Sequence, residues 1–317
     1  MNIFNGSIED GLFLLGFYEY PRLQILLFLI FLTLYLLCLL ENIILILIIY
    51  VDSQLHTPMY FFLSNLSFVD ISFPSIIVPK FLLTFLNIRS MSKIQCVSQF
   101  YLYSVFQCNE ILILMVMSYD RYVAICNPLH YHMVLSRKTI SLLLAMTWFA
   151  SLLFPTPNIY MILLWFPFCK DPIIDHLFCD LEPLLKLLCG DLTQMRFLMQ
   201  IDGALITGPS ILLTLTSYIF IILVILKIKS SEGRFKAFST CSSHISVIIM
   251  LYLSLVCVYF LPQNQTRNAK SASLLNTLMI PMLNPLLYSL RNREVKVAFQ
   301  RCVSKIVEGT FFKKFRK

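Results

Sequence analysis

Gln24 to Tyr50 reads QILLFLIFLTLYLLCLLENIILILIIY, an apolar run interrupted by a single charge, Glu41. A helix that crosses the hydrocarbon core of a bilayer needs about 20 mostly apolar residues, and this run is long enough. Working outward, six more runs qualify, roughly 58–86, 95–126, 140–166, 197–227, 237–261 and 270–290. The 317-residue chain is 58% hydrophobic and 13% charged, against roughly one half and one quarter in soluble domains, so lipid is the solvent the composition calls for. The apolar stretches leave no tract for a separate soluble domain. The expectation is an all-α membrane protein, one seven-transmembrane helix bundle over 1–317. No short apolar segment with a basic start and a small-residue cleavage site opens the sequence, so the first span is expected to serve as the insertion signal.

Two spans are less apolar than the rest. The third carries Gln107, Cys108 and Glu110 and the seventh Asn276, Thr277 and Asn284, which places both toward the bundle interior. Thr57-Pro58 has the form of an N-cap followed by proline at the first helical position. Pro155, Pro157 and Gly208-Pro209 mark a helix end and a bend.

Lys and Arg in short loops set the orientation. After the seventh span Arg291, Arg293, Lys296, Arg301, Lys305, Lys313, Lys314, Arg316 and Lys317 face only Glu294 and Glu308, and Lys227, Lys229, Arg234 and Lys236 precede the sixth. Both regions belong in the cytosol, giving an extracellular N-terminus (1–23), a cytoplasmic tail (291–317) and a multi-pass protein of the plasma membrane. The basic tail suits anionic inner-leaflet lipid or a protein partner. Val295, Val297, Ala298, Val303 and Ile306 alternate with basic positions, as in an amphipathic helix lying on the membrane.

Cys96, Cys169, Cys179 and Cys189 fall on the outer side, where disulfides form, and permit three pairings. Their even spacing with few nearby histidines makes a poor zinc site. Asn5-Gly6-Ser7 is a glycosylation sequon on the same side, and Asn264-Gln265-Thr266 is a weaker second. No nucleophile arrangement, metal-ligand spacing or phosphate-cradling loop is found, and with eight glycines the chain is poor in such loops. An enzyme is not expected, nor is nucleic acid as a partner.

Asp120-Arg121-Tyr122 ends the third span and Asn284-Pro285-Leu286-Leu287-Tyr288 the seventh. Together they resemble the paired signatures of rhodopsin-like G-protein-coupled receptors. Leu55 to Tyr60 (LHTPMY), Met117 to Cys126 (MSYDRYVAIC), Ser217-Tyr218, Lys236 to Ser243 (KAFSTCSS) with His244, and Pro281 to Asn292 (PMLNPLLYSLRN) narrow the resemblance to odorant receptors of the tetrapod-type, class II branch. It covers essentially the whole chain. It implies a small-molecule odorant, a heterotrimeric G protein of the olfactory stimulatory type, cyclic AMP as the output, and membrane lipid as the surround.

A charge at mid-bilayer costs at least a few kcal/mol, so Asp70, Glu110 and Arg121 should face the bundle and find partners. Asp120 is the obvious partner of Arg121. The resemblance implies that this arginine is freed on activation and then lies beneath the inserted C-terminal helix of the G-protein α subunit. Asp70 and Glu110 match the family's inner polar cluster, with Asn42, Asn65 and Asn284 nearby by analogy. Two carboxylates together invite a cation or a shared proton. The resemblance implies a sodium ion in the inactive state, a modulator rather than a resident cofactor. Pro281 and Pro285 remove backbone donors and bend the seventh span, and the resemblance makes Tyr288 and Tyr218 partners that swing toward Arg121, interfacial anchoring being their other reading.

By the same alignment the ligand is lined by Tyr103, Ser104, Gln107, Cys108, Ile206, Leu255, Val256, Tyr259 and Thr277, a mostly apolar set suited to a small volatile molecule held by packing and one or two hydrogen bonds. Asp202 either meets a cationic ligand or, as preferred here, is solvated at the headgroup level. The disulfides implied are Cys96 with Cys179 and Cys169 with Cys189. Glu41, where the family has glycine, and His132, where it has proline, are departures. A transporter would show an inverted repeat or broken helices with midplane polar sites, and neither is present; a non-olfactory receptor of the same class remains the other reading.

Overall fold

The computed structural model describes residues 11–168, 172–259, 266–291 and 293–307. The first three spans are α1 (Gln24–Val51), α2 (Pro58–Phe85) and α3 (Lys93–Cys126). The fourth is divided by Pro155 into α4 (Arg137–Leu153) and α5 (Thr156–Leu164). The fifth and sixth are α6 (Thr193–Lys227) and α7 (Ser231–Tyr259). The seventh runs as α8 (Thr266–Leu274), a π-helical turn (Leu275–Met279) and α9 (Ile280–Arg291), and α10 (Arg293–Val307) follows it. Thr57 takes the N-cap position of α2 in extended conformation, but its side chain makes no capping bond; Pro58, with its fixed φ, starts the helix. Ser92 and Gln95 close a reciprocal capping box on α3.

In its most apolar stretch α3 is 67% buried and α1 only 6%, so α3 is the central post and α1 a peripheral, lipid-facing helix. The seventh span is interior, with Asn276, Thr277, Asn284 and Tyr288 buried.

Proline positions explain how α1 is nevertheless held. Pro74 has no N–H, so the Asp70 carbonyl four residues earlier loses its helical donor; the Cys38 thiol of α1 lies 3.6 Å from it and donates. Pro285 likewise frees the Pro281 carbonyl, and Asn42 of α1 donates Nδ2 to it at 3.1 Å. Two prolines thus create acceptors on α2 and α9, and one face of α1 supplies both donors.

One end of the bundle is closed by a three-stranded sheet that the spans alone do not foretell. β1 (Gly11–Leu14) lies between β2 (Ser90–Ser92), antiparallel, and β3 (Ile173–Ile174), parallel, with Leu12 opposite Met91 and Leu14 opposite Ile174. Leu12 and Leu14 point inward and are buried. The chain then turns at Gly16, whose φ of +59° and an approach of 2.5 Å between an added Cβ and Thr84 Oγ1 both require glycine. The disulfide Cys96–Cys179 ties α3 to the same closure. Cys189 is disulfide-bonded as well; Cys169, its expected partner, lies outside the described residues, as do Asn5, the Asn264-Gln265 part of the second sequon and the tail from 308.

At the opposite end, the Arg121 end, α10 packs Val295, Ala298 and Cys302 inward at helical spacing while Val297 and Val303 remain partly exposed. Arg301 pairs with Asp52 at 3.2 Å, and Tyr60 donates to Glu294 at 2.6 Å, fixing α10 to α2 and to the turn after α1.

Candidate functional site

A track of buried polar groups runs through the bundle from the sheet end to the Arg121 end. At its base Asp120, fully buried, accepts from Arg121 at 2.6 and 3.0 Å and from the Tyr131 hydroxyl at 2.8 Å. Tyr131 reaches in from the short helix that follows α3, just before the departure His132. The guanidinium is therefore held sideways against its own helix. Tyr122 turns away from this pair and packs on Tyr119 and Phe220.

One layer above, the Tyr218 hydroxyl of α6 and His244 Nδ1 of α7 share a hydrogen bond of 2.5 Å, and the ring of Tyr288 of α9 lies 6.3 Å from that of His244. The Tyr288 hydroxyl is buried and makes no hydrogen bond among the described residues. Three helices thus meet at one imidazole. In the sequence His244 stands only at the end of a motif; an imidazole inside an apolar span is the signal that it has a role of its own.

At mid-bundle Asn284 donates Nδ2 to both Asp70 oxygens, at 3.1 and 3.2 Å, and to Glu110 at 3.5 Å. Glu110 Oε2 and Asn284 Oδ1 are buried without hydrogen-bond partners among the described residues. Hard oxygen donors converging from α2, α3 and α9 in a buried place fit a small hard cation such as sodium. Asn42 adjoins this layer through Pro281. Asn65 does not: it donates to the Phe61 carbonyl of its own helix, half-exposed, so the analogy that grouped it with Asp70 is corrected.

Above the carboxylates, Asn276 in the π-helical turn donates to Gln107 of α3 and accepts from Ser254 of α7 at 3.1 Å. The extra residue of the π-helical turn changes the phase of the seventh span here. Of the expected ligand-lining set, Gln107, Cys108, Leu255 and Thr277 are buried in this region, and Tyr103 stacks on Phe73 and lies 5.1 Å from the Phe178 ring. Ser104 is half-buried and donates to the Phe100 carbonyl of its own helix, and Ile206 is half-buried against the core. Val256 is a correction. It is 46% exposed and shares an outward stripe with Ile249 and Leu253 at helical spacing, so it faces lipid rather than the interior. The Tyr259 side chain is outside the described portion.

Asp202 also departs from expectation: it is half-buried and accepts from Asn158 of α5 at 2.9 Å, bridging the fourth and fifth spans instead of standing in solvent. Glu41 is half-buried on α1, its Oε2 buried without a hydrogen-bond partner among the described residues.

At the sheet end a small apolar crevice lies between Phe81 of α2, Phe178 of the loop and Ser273 and Thr277 of the seventh span. Over it, His176 shares a hydrogen bond with Ser273 at 3.3 Å. Burial lowers the His176 imidazole to about 4 and, a few residues on, raises the Asp180 carboxyl to about 6 despite its bond from the Leu181 N–H.

The family described as olfactory receptor matches residues 31–306. The chain is 45% identical to Olfactory receptor 10A2 of Homo sapiens, over 90% of this chain and 94% of that one, and 43% identical to Olfactory receptor 10A5 of Homo sapiens, over 97% and 98%. Olfactory receptor 5G9 of Mus musculus is 44% identical over 92% and 93%. Squid rhodopsin superposes with a TM-score of 0.70 over 89% of this chain and 80% of its own at 16% identity, a likeness of fold.

Proposed function

The chain belongs to the olfactory receptor family, and on that premise we propose that it binds a small volatile organic ligand in the half of the bundle nearest the sheet and activates a heterotrimeric G protein of the olfactory stimulatory type, raising cyclic AMP. It is a multi-pass membrane receptor and not an enzyme. In this reading the sheet end is extracellular and the Arg121 end cytoplasmic, Asn5 is glycosylated, and Cys169 is the partner of Cys189.

The observation that carries the proposal is the double restraint on Arg121. Asp120, itself fixed by Tyr131, holds the guanidinium sideways, while the Tyr218–His244 pair occupies the layer above. Ligand binding among Tyr103, Ser104, Gln107, Cys108, Ile206, Leu255, Tyr259 and Thr277 acts on the Asn276 network that joins α3, α7 and the seventh span. Movement of α7 breaks the His244 contact, and Tyr218 and Tyr288 then reach the freed Arg121, beneath which the G-protein helix inserts. Pro285 supplies the bend about which the seventh span moves. A sodium ion held by Asp70 and Glu110 would favour the resting arrangement, because it offsets two carboxylates that otherwise repel.

The test is cyclic AMP in cells expressing the chain, challenged with a broad panel of volatile compounds beside Arg121→Ala. A ligand-dependent rise that the variant loses at matched surface expression supports the proposal. A rise that Arg121→Ala retains would overturn the role given to Arg121.

A further inference from the structure

At the Arg121 end α6 stops at Lys227 and α7 starts at Ser231, and between the two helices lies a groove of about 480 Å³. Its floor is Ile225, 5% exposed, and its walls are Ile222, Leu226, Phe235 and Phe238, all strongly exposed. Ser231 and Arg234 form the rim. Lys227 and Lys229 stand beside it, also exposed, and the one acid in this stretch is Glu232. Ser231 and Arg234 also occupy the first turn of α7, where the helix carries its partial positive charge.

An apolar trough that ends in a cationic rim has the two chemistries of a phospholipid in the same order. A neutral sterol would leave the rim unmatched, and a free anion would leave the trough unmatched. A zwitterionic headgroup would bring its own ammonium into a field set by Lys227, Lys229 and Arg234 against Glu232. We propose that this groove binds an acidic phospholipid, its phosphate between Ser231 and Arg234 and an acyl chain along Leu226, Phe235 and Phe238. Each basic group near a membrane surface contributes about 1 kcal/mol toward an anionic lipid. Two of them convert to a preference of roughly tenfold or more over a zwitterionic lipid of the same chains. The inference rests on the membrane placement of α6 and α7, not on the identity of the ligand or of the G protein.

Native mass spectrometry of the purified full chain, incubated with phosphatidylglycerol or phosphatidylcholine of matched acyl chains, measures it. Phosphatidylglycerol is expected to be retained about tenfold more. Lys227→Gln with Arg234→Gln removes that preference, and Leu226→Trp, which fills the trough, lowers retention of both lipids; each variant is checked for unchanged thermal melting. Millimolar inorganic phosphate leaves the bound lipid in place. Equal retention of the two lipids overturns the proposal. So does a preference that survives Lys227→Gln with Arg234→Gln and disappears only when Lys313, Lys314, Arg316 and Lys317 are changed to Gln, which would assign it to the tail.

Discussion

Lys270 Nζ lies 2.7 Å from an Asp175 carboxylate oxygen, in a side chain only 1% exposed. The same ammonium reaches Glu19 at 2.8 Å and the Gly16 carbonyl at 2.9 Å and sits over the Tyr18 ring. The seventh span, the loop bearing β3 and the segment after β1 therefore converge on one buried cation.

The partners differ in exposure, and that decides which change hurts. Glu19 and Asp175 are 40% and 36% exposed, so although Asp175 Oδ1 is itself buried, the rest of each carboxylate stays in water once Lys270 is gone. Lys270 has no such recourse. Glu19→Gln with Asp175→Asn should cost about 3 kcal/mol, the scale of an uncompensated buried charge, and Lys270→Met about 1 kcal/mol, close to an exposed pair. Thermal melting of purified receptor ranks them; the reverse order would refute the asymmetry.

Asn42 should matter because Pro285 is where it is. Asn42→Ala leaves the Pro281 carbonyl buried without a donor and is expected to cost about 1–3 kcal/mol. In a Pro285→Ala background the backbone N–H of residue 285 returns to that carbonyl, so the same change should cost about 1 kcal/mol less. A melting cycle with zero coupling would mean that Asn42 acts elsewhere.

Tyr131→Phe deletes one of the bonds that fix Asp120. Loss of about 1 kcal/mol from the resting state alone raises a minor active population roughly fivefold. Basal cyclic AMP at matched surface expression reports it, and an unaltered basal level would argue that Tyr131 restrains nothing.

Two titrations at the sheet end oppose each other. His176 is lowered to about 4, so below pH 6.5 the unfolded chain binds a proton that the folded one refuses, and stability falls as pH drops from 6.5 toward 4. Asp180 is raised to about 6, so the folded chain takes a proton first, and stability rises as pH drops from 6 toward 4. The wild type should melt with little pH dependence across this window. Asp180→Asn should expose the His176 loss of stability on acidification, and His176→Asn the Asp180 gain. Parallel melting curves for all three proteins would reject both assignments.

The helix bundle was legible because lipid demands apolar runs of fixed length, and Gln24–Val51 satisfies that demand whatever it packs against. The pairing of Arg121 with Asp120 was legible because an adjacent counter-ion is the cheapest solution for a charge in a membrane. Val256 was not, because one residue of helical phase separates it from buried Leu255, and phase is set by packing with α3 and the seventh span. Asn65 failed for a related reason: an asparagine can satisfy itself on its own helix at Phe61. Tyr131 and Asn276 owe their roles to neighbours distant in sequence. No local pattern in Gly11–Leu14 marks β1, since its partners Ser92 and Ile173 lie far along the chain.

That last distance has a consequence for biosynthesis. β1 is synthesised well before its parallel neighbour β3 and the cation at Lys270. β1 can pair with β2 early, but its other edge waits for β3 and the turn after it for Lys270, so the closure of the sheet end is a late event in maturation. Substitutions at Leu12, Leu14 or Gly16 should therefore act on export, trapping receptors whose helices are already in place.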